Sequence, residues 1–132
     1  MGKKSEKILV VDDDPAFQEL LVQFFHLRNW DVVVAADAEE GIDLFRRHHP
    51  AAVILDVNLG VGRDGLSLCD QIRDDISSRN TAILLLSADR RTVDDQRRGD
   101  TVGADAYLLK PVKLADLEER LNEVLQAKKK SR

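Results

Sequence analysis

At 132 residues, with 43% hydrophobic and 33% charged side chains, the chain is long enough for one ordinary domain with a real core and too short for two; its composition excludes a disordered or fibrous protein. A formal charge of −4, with the conspicuous lysines at the ends (Lys3, Lys4 and Lys7, then Lys128, Lys129 and Lys130), argues against general nucleic-acid affinity. No apolar run approaches the ~18 residues of a membrane span, no signal-peptide core follows MGKKSEK, and the single Cys69 excludes an internal disulfide, so the cytoplasm is the expected compartment.

The first predicted strand, 8–11, ends abruptly in Asp12, Asp13 and Asp14. Three adjacent acids repel one another and resist leaving water, so a core has no use for them at its rim and a cationic partner is implied. Asp14 and Pro15 read as the cap and first-turn proline of a helix with Phe17, Leu20, Leu21, Phe24 and Leu27 on one stripe. A second strand, 32–35, leads to a helix capped by Asp37 with Glu40 three residues on, burying Ala38, Ile42 and Phe45 before Pro50 stops it. Strand 52–55 ends at Asp56, and the helix after it aligns Leu66, Cys69, Ile72 and Ile76, a setting in which Cys69 is a small buried hydrophobe rather than a reactive thiol. Strand 83–86 ends at Ser87. The stretch DRRTVDDQRRGD, Asp89 to Asp100, then offers Val93 as its only large apolar residue. It reads either as a solvated helix laced by pairs such as Arg90 with Asp94 and Asp94 with Arg98, or as a loosely docked, movable element. The last strand, 107–109, runs into Lys110 and Pro111, and a final helix aligns Leu114, Leu117, Leu121 and Val124.

Nearly all-apolar strands alternating with helices indicate a parallel sheet covered on both faces, a doubly wound α/β domain. Ligands of such sheets sit outside the carboxyl ends of the strands. Asp12, Asp13, Asp56, Ser87 and Lys110 all fall there. Clustered carboxylates are tolerated where a metal ion and an ammonium neutralise them, and an all-oxygen set favours Mg²⁺. A carboxylate is ionised at neutral pH and attacks phosphorus without a general base, which makes Asp56 the natural nucleophile. His26, His48 and His49 lie near predicted helix ends, away from this rim, and are read as surface residues.

The segments VVDDDP, VILDVN, LLLSAD and GADAYLLKP, in this order and spacing, resemble the receiver (phosphoacceptor) domain of bacterial two-component response regulators, in particular stand-alone chemotaxis-regulator-like proteins. The resemblance runs over about 7–126. It implies a single receiver domain over 1–132 with a basic tail at 127–132, and a flavodoxin-like five-stranded parallel sheet of order 2-1-3-4-5 with helices on both faces. It also implies that Asp56 accepts a phosphoryl group from the phosphohistidine of a sensor histidine kinase or histidine phosphotransfer protein. Asp12, Asp13 and Asp56 would hold Mg²⁺ with the backbone carbonyl of Asn58, and Lys110, joined to Pro111 by a cis bond, would pair with the phosphoryl oxygens. Ser87 and Tyr107 match the switch hydroxyl and switch aromatic of the family, whose output surface is helix four, strand five and helix five. Outside the motif, Tyr107 reads as a half-buried strand aromatic with its hydroxyl in water. Asn58 and Asp89, two residues after Asp56 and Ser87, are expected to admit water and shorten the acyl-phosphate lifetime.

The chain departs from the family pattern in three places. Between Asp56 and Gly65 it is one residue longer, Gly60 replaces a usual proline with Gly62 close behind, and Lys113 stands where a helix-capping acid is common. The first two features predict a pliant loop, and the third a weaker start to the last helix. A magnesium phosphatase with an aspartate nucleophile would want an acid where Asn58 stands; a flavin or nucleotide binder would want glycines or hydroxyls where Asp12 to Asp14 stand. A phosphorylation-independent interaction module stays open as an alternative, though one that gives no reason for the full set of acids, hydroxyl and lysine. The reading is therefore a signalling domain that catalyses only its own phosphorylation and dephosphorylation, without direct contact to nucleic acid or membrane. After Gln126 only AKKKSR follows. A chain complete as given would act on an unknown downstream protein; one cut from a longer protein would have left its effector domain behind.

Overall fold

A computed structural model of the chain describes residues 6–59, 65–99 and 103–130, with the backbone alone described over 95–99. The elements in order are β1 (Glu6–Val11), α1 (Pro15–His26), β2 (Trp30–Ala35), α2 (Ala38–His48), β3 (Ala52–Asp56), α3 (Gly65–Asp74), a 3₁₀ turn (Ile76–Ser78), β4 (Ala82–Ser87), α4 (Arg90–Gly99), β5 (Ala106–Leu109) and α5 (Leu114–Lys130). The sheet order is β2-β1-β3-β4-β5 and every pairing is parallel. This is the flavodoxin-like order expected from the sequence. The order reverses at β1, so a crevice opens between the carboxyl ends of β1 and β3.

Alternation along the strands divides the core in two. Leu9, Val11, Val53, Leu55, Ile83 and Leu85 face one side, where they meet Phe45 of α2, Leu68, Cys69 and Ile72 of α3, and Val93 of α4. Ile8, Val10, Ala52, Ile54, Leu84 and Leu86 face the other, where Leu21 and Phe25 of α1 and Leu117, Leu121 and Val124 of α5 cover them. Among the described residues no helix is long and apolar enough to cross a membrane.

Several helix faces differ from the sequence expectation. In α1 the residues sealed against the sheet are Leu21 and Phe25, while Leu20 and Leu27 are 48% and 79% exposed. The apolar stripe is wider than the groove that receives it, and α1 ends at His26, leaving Leu27 at the cap. Phe24 sits on the flank, edge-on to Phe25 and beneath the Arg28 guanidinium. Helix α3 stops at Asp74, so Ile76 falls in the 3₁₀ turn and is 86% exposed, and Leu68 takes the buried place. In α4, Val93 is 3% exposed and anchors the helix, whereas Arg90 and Asp94 form no ion pair among the described side chains. The side chain of Arg98 lies outside the described part, as do Gly60 and Gly62 of the loop expected to be pliant. Helix α5 starts directly after Lys113, whose carbonyl accepts from Leu117 N–H, and it runs through Lys130, so residues read as a tail are helical as far as they are described.

Burial pushes the Cys69 thiol up to about 12 from an ordinary 9.0. At pH 8 the folded chain then holds about a thousandfold less thiolate than an unfolded one, and a disulfide reagent is expected to react with Cys69 at the rate of unfolding rather than of the free thiol. Because the folded group is the weaker acid, this contribution to stability is intact below about 9 and is lost as pH rises from there towards 12. Thiol titration in buffer and in urea checks both statements.

Candidate functional site

The site is built where β1, β3 and β5 deliver polar residues to one rim. Asp12, Asp13 and Asp14 follow the last residue of β1, and the fold gives each a different task. Asp12 is 2% exposed; its backbone N–H donates to the Ala35 carbonyl at 3.0 Å and its Oδ1 accepts from Asp14 N–H at 2.9 Å. Asp13 is exposed and keeps its carboxylate towards water. Asp14 caps α1 by accepting from Ala16 N–H at 3.0 Å, with Pro15 in the first turn. The Gln18 side-chain amide reaches back from α1 to donate to the carbonyls of Asp12 and Ala35, tying the ends of β1 and β2 together.

Asp56 ends β3 at 7% exposure, and its Oδ1 accepts from Asn58 N–H at 3.1 Å. The first residue of α3, Gly65, lies so close behind it that an added Cβ would stand 2.2 Å from the Asp56 carbonyl oxygen. Lys110 leaves β5 with its N–H donating to the Ser87 carbonyl at 2.8 Å, and the Lys110–Pro111 bond is cis. Its ammonium lies between the two buried acids, 2.9 Å from Asp12 Oδ2 and 3.3 Å from Asp56 Oδ2. One ligand oxygen from each of Asp12, Asp13 and Asp56 falls within 4.8 Å of the others.

Burial is the main influence on the Asp56 carboxyl and pushes its pKa up; the Asn58 N–H and the Lys110 charge oppose it, and the neighbouring Asp12 adds to it. Burial also pulls the Lys110 ammonium down, but its hydrogen bond to Asp12 and the charges of Asp56 and Asp12 outweigh that, and the net shift is upward. Three carboxylates against one ammonium leave −3 + 1 = −2 at the rim. A set of hard oxygen donors, open to water on the side of Asp13, fits a hard divalent cation and does not fit a soft one.

The other predicted residues sit on β4, on β5, in the loops after β3 and β4, and at the ends of α1 and α2. Ser87 is 1% exposed and its Oγ accepts from Asp89 N–H at 3.0 Å. Asp89 begins α4, accepting from Arg91 N–H at 2.9 Å. Asn58 is exposed. Tyr107 is 8% exposed with its hydroxyl oxygen buried, so the half-wet strand aromatic expected outside the motif is not what the fold holds. His26 and His48 end α1 and α2, and His49 caps α2, apart from the rim as expected.

At the opposite end of β5 the fold assembles a polar hub with no counterpart in the sequence reading. Arg73 of α3 donates to the Gly103 carbonyl at 2.7 Å, the Ser78 carbonyl at 2.6 Å and Asp105 Oδ2 at 2.6 Å. Asp105 also accepts from Ile83 N–H at 2.8 Å and pairs with Lys128 at 3.0 Å. Lys128, read as part of a solvated tail, is thus a partner in the fold. The only signal available in sequence was an acid placed just before a strand, which is too common to be read.

Comparison with known proteins gives this rim a family. Residues 8–122 match the family described as the response regulator receiver domain. The chain belongs to that family. Among curated relatives, a probable transcriptional regulator ycf27 of Porphyridium aerugineum is 35% identical over 123 residues, covering 93% of this chain and 49% of the relative. The transcriptional regulatory protein TrcR of Mycobacterium tuberculosis is 38% identical over 120 residues, covering 91% and 45%. The chain therefore spans about half the length of the curated relatives it matches. Among solved structures, a putative response regulator from Chloroflexus aurantiacus is similar with a TM-score of 0.82 and 32% identity, covering 93% of this chain and 99% of that one. The BeF3-activated N-terminal receiver domain of Klebsiella pneumoniae RstA is similar at 0.77 and 30%, covering 90% and 97%.

In this receiver domain Gly65 keeps α3 against the backbone of Asp56. Gly65→Ala is expected to force α3 off the end of β3 and cost about 1–3 kcal/mol, read as a lower urea midpoint, with the amide resonances of Asp56 to Asn58 shifted.

Proposed function

We propose that Asp56 accepts a phosphoryl group from a phosphohistidine donor, and that the resulting charge change at the rim is passed to the surface of α4, β5 and α5. The observation that carries this reading is the Lys110 ammonium held between Asp12 and Asp56 at 2.9 and 3.3 Å, in a chain whose family is that of receiver domains. An Asp56 carboxylate oxygen attacks phosphorus as the bond from phosphorus to the donor imidazole nitrogen breaks, and the electron pair leaves with the imidazole. No general base is needed, because the attacking oxygen carries no proton.

Asp12, Asp13, Asp56 and the backbone carbonyl of Asn58 would hold Mg²⁺, the donor set being wholly oxygen. When bound, that ion supplies positive charge against the phosphoryl oxygens. Lys110 supplies the second positive charge. Once Asp56 carries the phosphoryl group as an acyl phosphate its carboxyl oxygens no longer offer a full anion, and the ammonium follows the charge to the phosphoryl oxygens while keeping Asp12.

The Ser87 hydroxyl gives up its bond with Asp89 N–H for a phosphoryl oxygen, and Tyr107, already packed inward, fills the space it leaves. The change therefore shifts an equilibrium between two packings of existing parts. Amide resonances from Val93 to Tyr107 are the place to see it when beryllofluoride, which mimics an acyl phosphate, is added with Mg²⁺. The donor is a sensor histidine kinase or histidine phosphotransfer protein, and the output passes to an effector domain or a separate partner. The names of the relatives, transcriptional regulators about twice as long as this chain, favour an effector on the same polypeptide.

With acetyl phosphate and Mg²⁺ the chain is expected to gain the mass of one phosphoryl group, and Asp56→Asn to gain none; a parent that stays unmodified would sink the proposal. Asn58→Leu is expected to lengthen the life of the acyl phosphate by removing a polar group that orients water. Asp89→Leu does the same but also loses the bond to Arg91 N–H that starts α4, a cap worth about 1 kcal/mol. Hydrolysis no slower in Asn58→Leu than in the parent would remove Asn58 from this role.

A further inference from the structure

Phe17 stands in the apolar stripe of α1, where the sequence alone gives it no task beyond packing. In the folded chain it is half-buried against the core that α1 and α5 share, and the Lys110 ammonium lies over its ring, 4.7 Å from the centroid. The ammonium thus has three neighbours: Asp12 Oδ2, Asp56 Oδ2 and the face of an aromatic ring. We infer that Phe17 is a positioning residue for phosphoryl transfer, its ring face holding the Lys110 ammonium at the rim as that ammonium moves from the Asp56 carboxylate to the phosphoryl oxygens. This inference rests on the function proposed above.

Lysine presents a compact, strongly hydrated charge on a flexible four-carbon stem, so nothing in Lys110 itself fixes where its ammonium stands. Two carboxylates fix it in the resting site, and one of them loses its full charge when Asp56 is phosphorylated. A hydrogen bond from a donor so held is directional and must break for the ammonium to turn. Attraction to the negative face of a ring is not directional in that way, and it persists while the N–H groups are redirected. The ring also keeps water from one side of the ammonium, which strengthens the remaining electrostatic contacts. Phe17 is well placed for this, since the same turn of α1 starts from the Asp14 cap and continues into Gln18, whose amide holds the Asp12 carbonyl. One turn of helix therefore touches both partners of the ion pair, Asp12 through its backbone and Lys110 through its side chain.

The test compares the whole chain with Phe17→Tyr, Phe17→Leu and pentafluorophenylalanine at position 17, following phosphorylation by acetyl phosphate and Mg²⁺ by intact mass and stability by urea midpoint. Pentafluorophenylalanine nearly keeps the shape of the ring and reverses its face charge. Tyrosine is expected to match the parent, while leucine and the fluorinated ring slow phosphorylation about three- to tenfold with a urea midpoint that falls but still leaves the chain fully folded without urea. A leucine variant as fast as the parent, or a fluorinated ring as fast as phenylalanine, would overturn the inference. If leucine prevents folding, the fluorinated ring decides alone. A second readout is independent of phosphorylation: the Lys110 Hε resonance is expected to be shifted upfield by the ring in the parent and to return in Phe17→Leu, and no difference between the two overturns the contact. A parent that takes no phosphoryl group would fail the proposed function, whereas a phosphorylated parent with indifferent variants fails only the role of Phe17.

Discussion

Among the described residues the ammonium of Lys110 is the one positive charge that reaches both buried acids of the rim, and the arrangement around it follows from that. Asp12 and Asp56 are 2% and 7% exposed, and a buried carboxylate without a partner is costly enough to take up a proton instead. Asp12 has the lysine at 2.9 Å as well as a backbone N–H; Asp56 has the lysine at 3.3 Å and the Asn58 N–H. With Asp13 counted as well, the rim is left at −3 + 1 = −2, and that deficit is what makes it a site for a cation. A rim already neutral would attract a dication less, and without the lysine both buried acids would lose their nearest positive charge.

The run of three aspartates shows how backbone geometry converts identical residues into different ones. Asp12 still lies in register with β2 through the Ala35 carbonyl and turns inward. Asp13, one residue on, faces water. Asp14 has left the strand and caps α1. Alternation across a strand and the demand of a helix for a cap are enough to sort them. Asp89 behaves like Asp14, closing the first turn of α4 through Arg91 N–H. Its expected influence on the acyl phosphate therefore competes with a structural duty that Asn58 does not have.

The sheet was legible because five nearly all-apolar runs admit few other arrangements, and the rim was legible because its residues end those runs. What the sequence hid were choices that depend on neighbours. Leu20 and Leu27 carry the same signal as Leu21, yet of the three only Leu21 is buried in the core that α1 shares with α5 and the strands. Ile76 continues the period of α3 in sequence, but the helix has already given way to a 3₁₀ turn. Val93, a lone apolar residue among charges, predicts a weak hold; its burial shows that one well-placed side chain seats the described part of α4. Phe17 was visible as apolar, and nothing in one dimension could say that its ring would meet Lys110.

Strand β5 is the shortest in the sheet, four residues, and it is held at both ends. At its start Asp105 is gripped by Arg73, Lys128 and Ile83 N–H; at its finish Lys110 is gripped by the acids of the rim. Tyr107 lies between. A strand with so few ladder bonds of its own would fray if left to them, so the polar hub below and the ion pair above fix its register. The hub involves neither Asp12 nor Asp56, so none of its contacts is one that the proposed reaction would change. Under the proposed function the lower end of β5 is expected to act as a fixed point, with displacement started at Lys110 falling on the upper end of the strand. The mechanical consequence of the proposed reaction at Asp56 is then expected beside Tyr107 and Val93 rather than across the whole sheet.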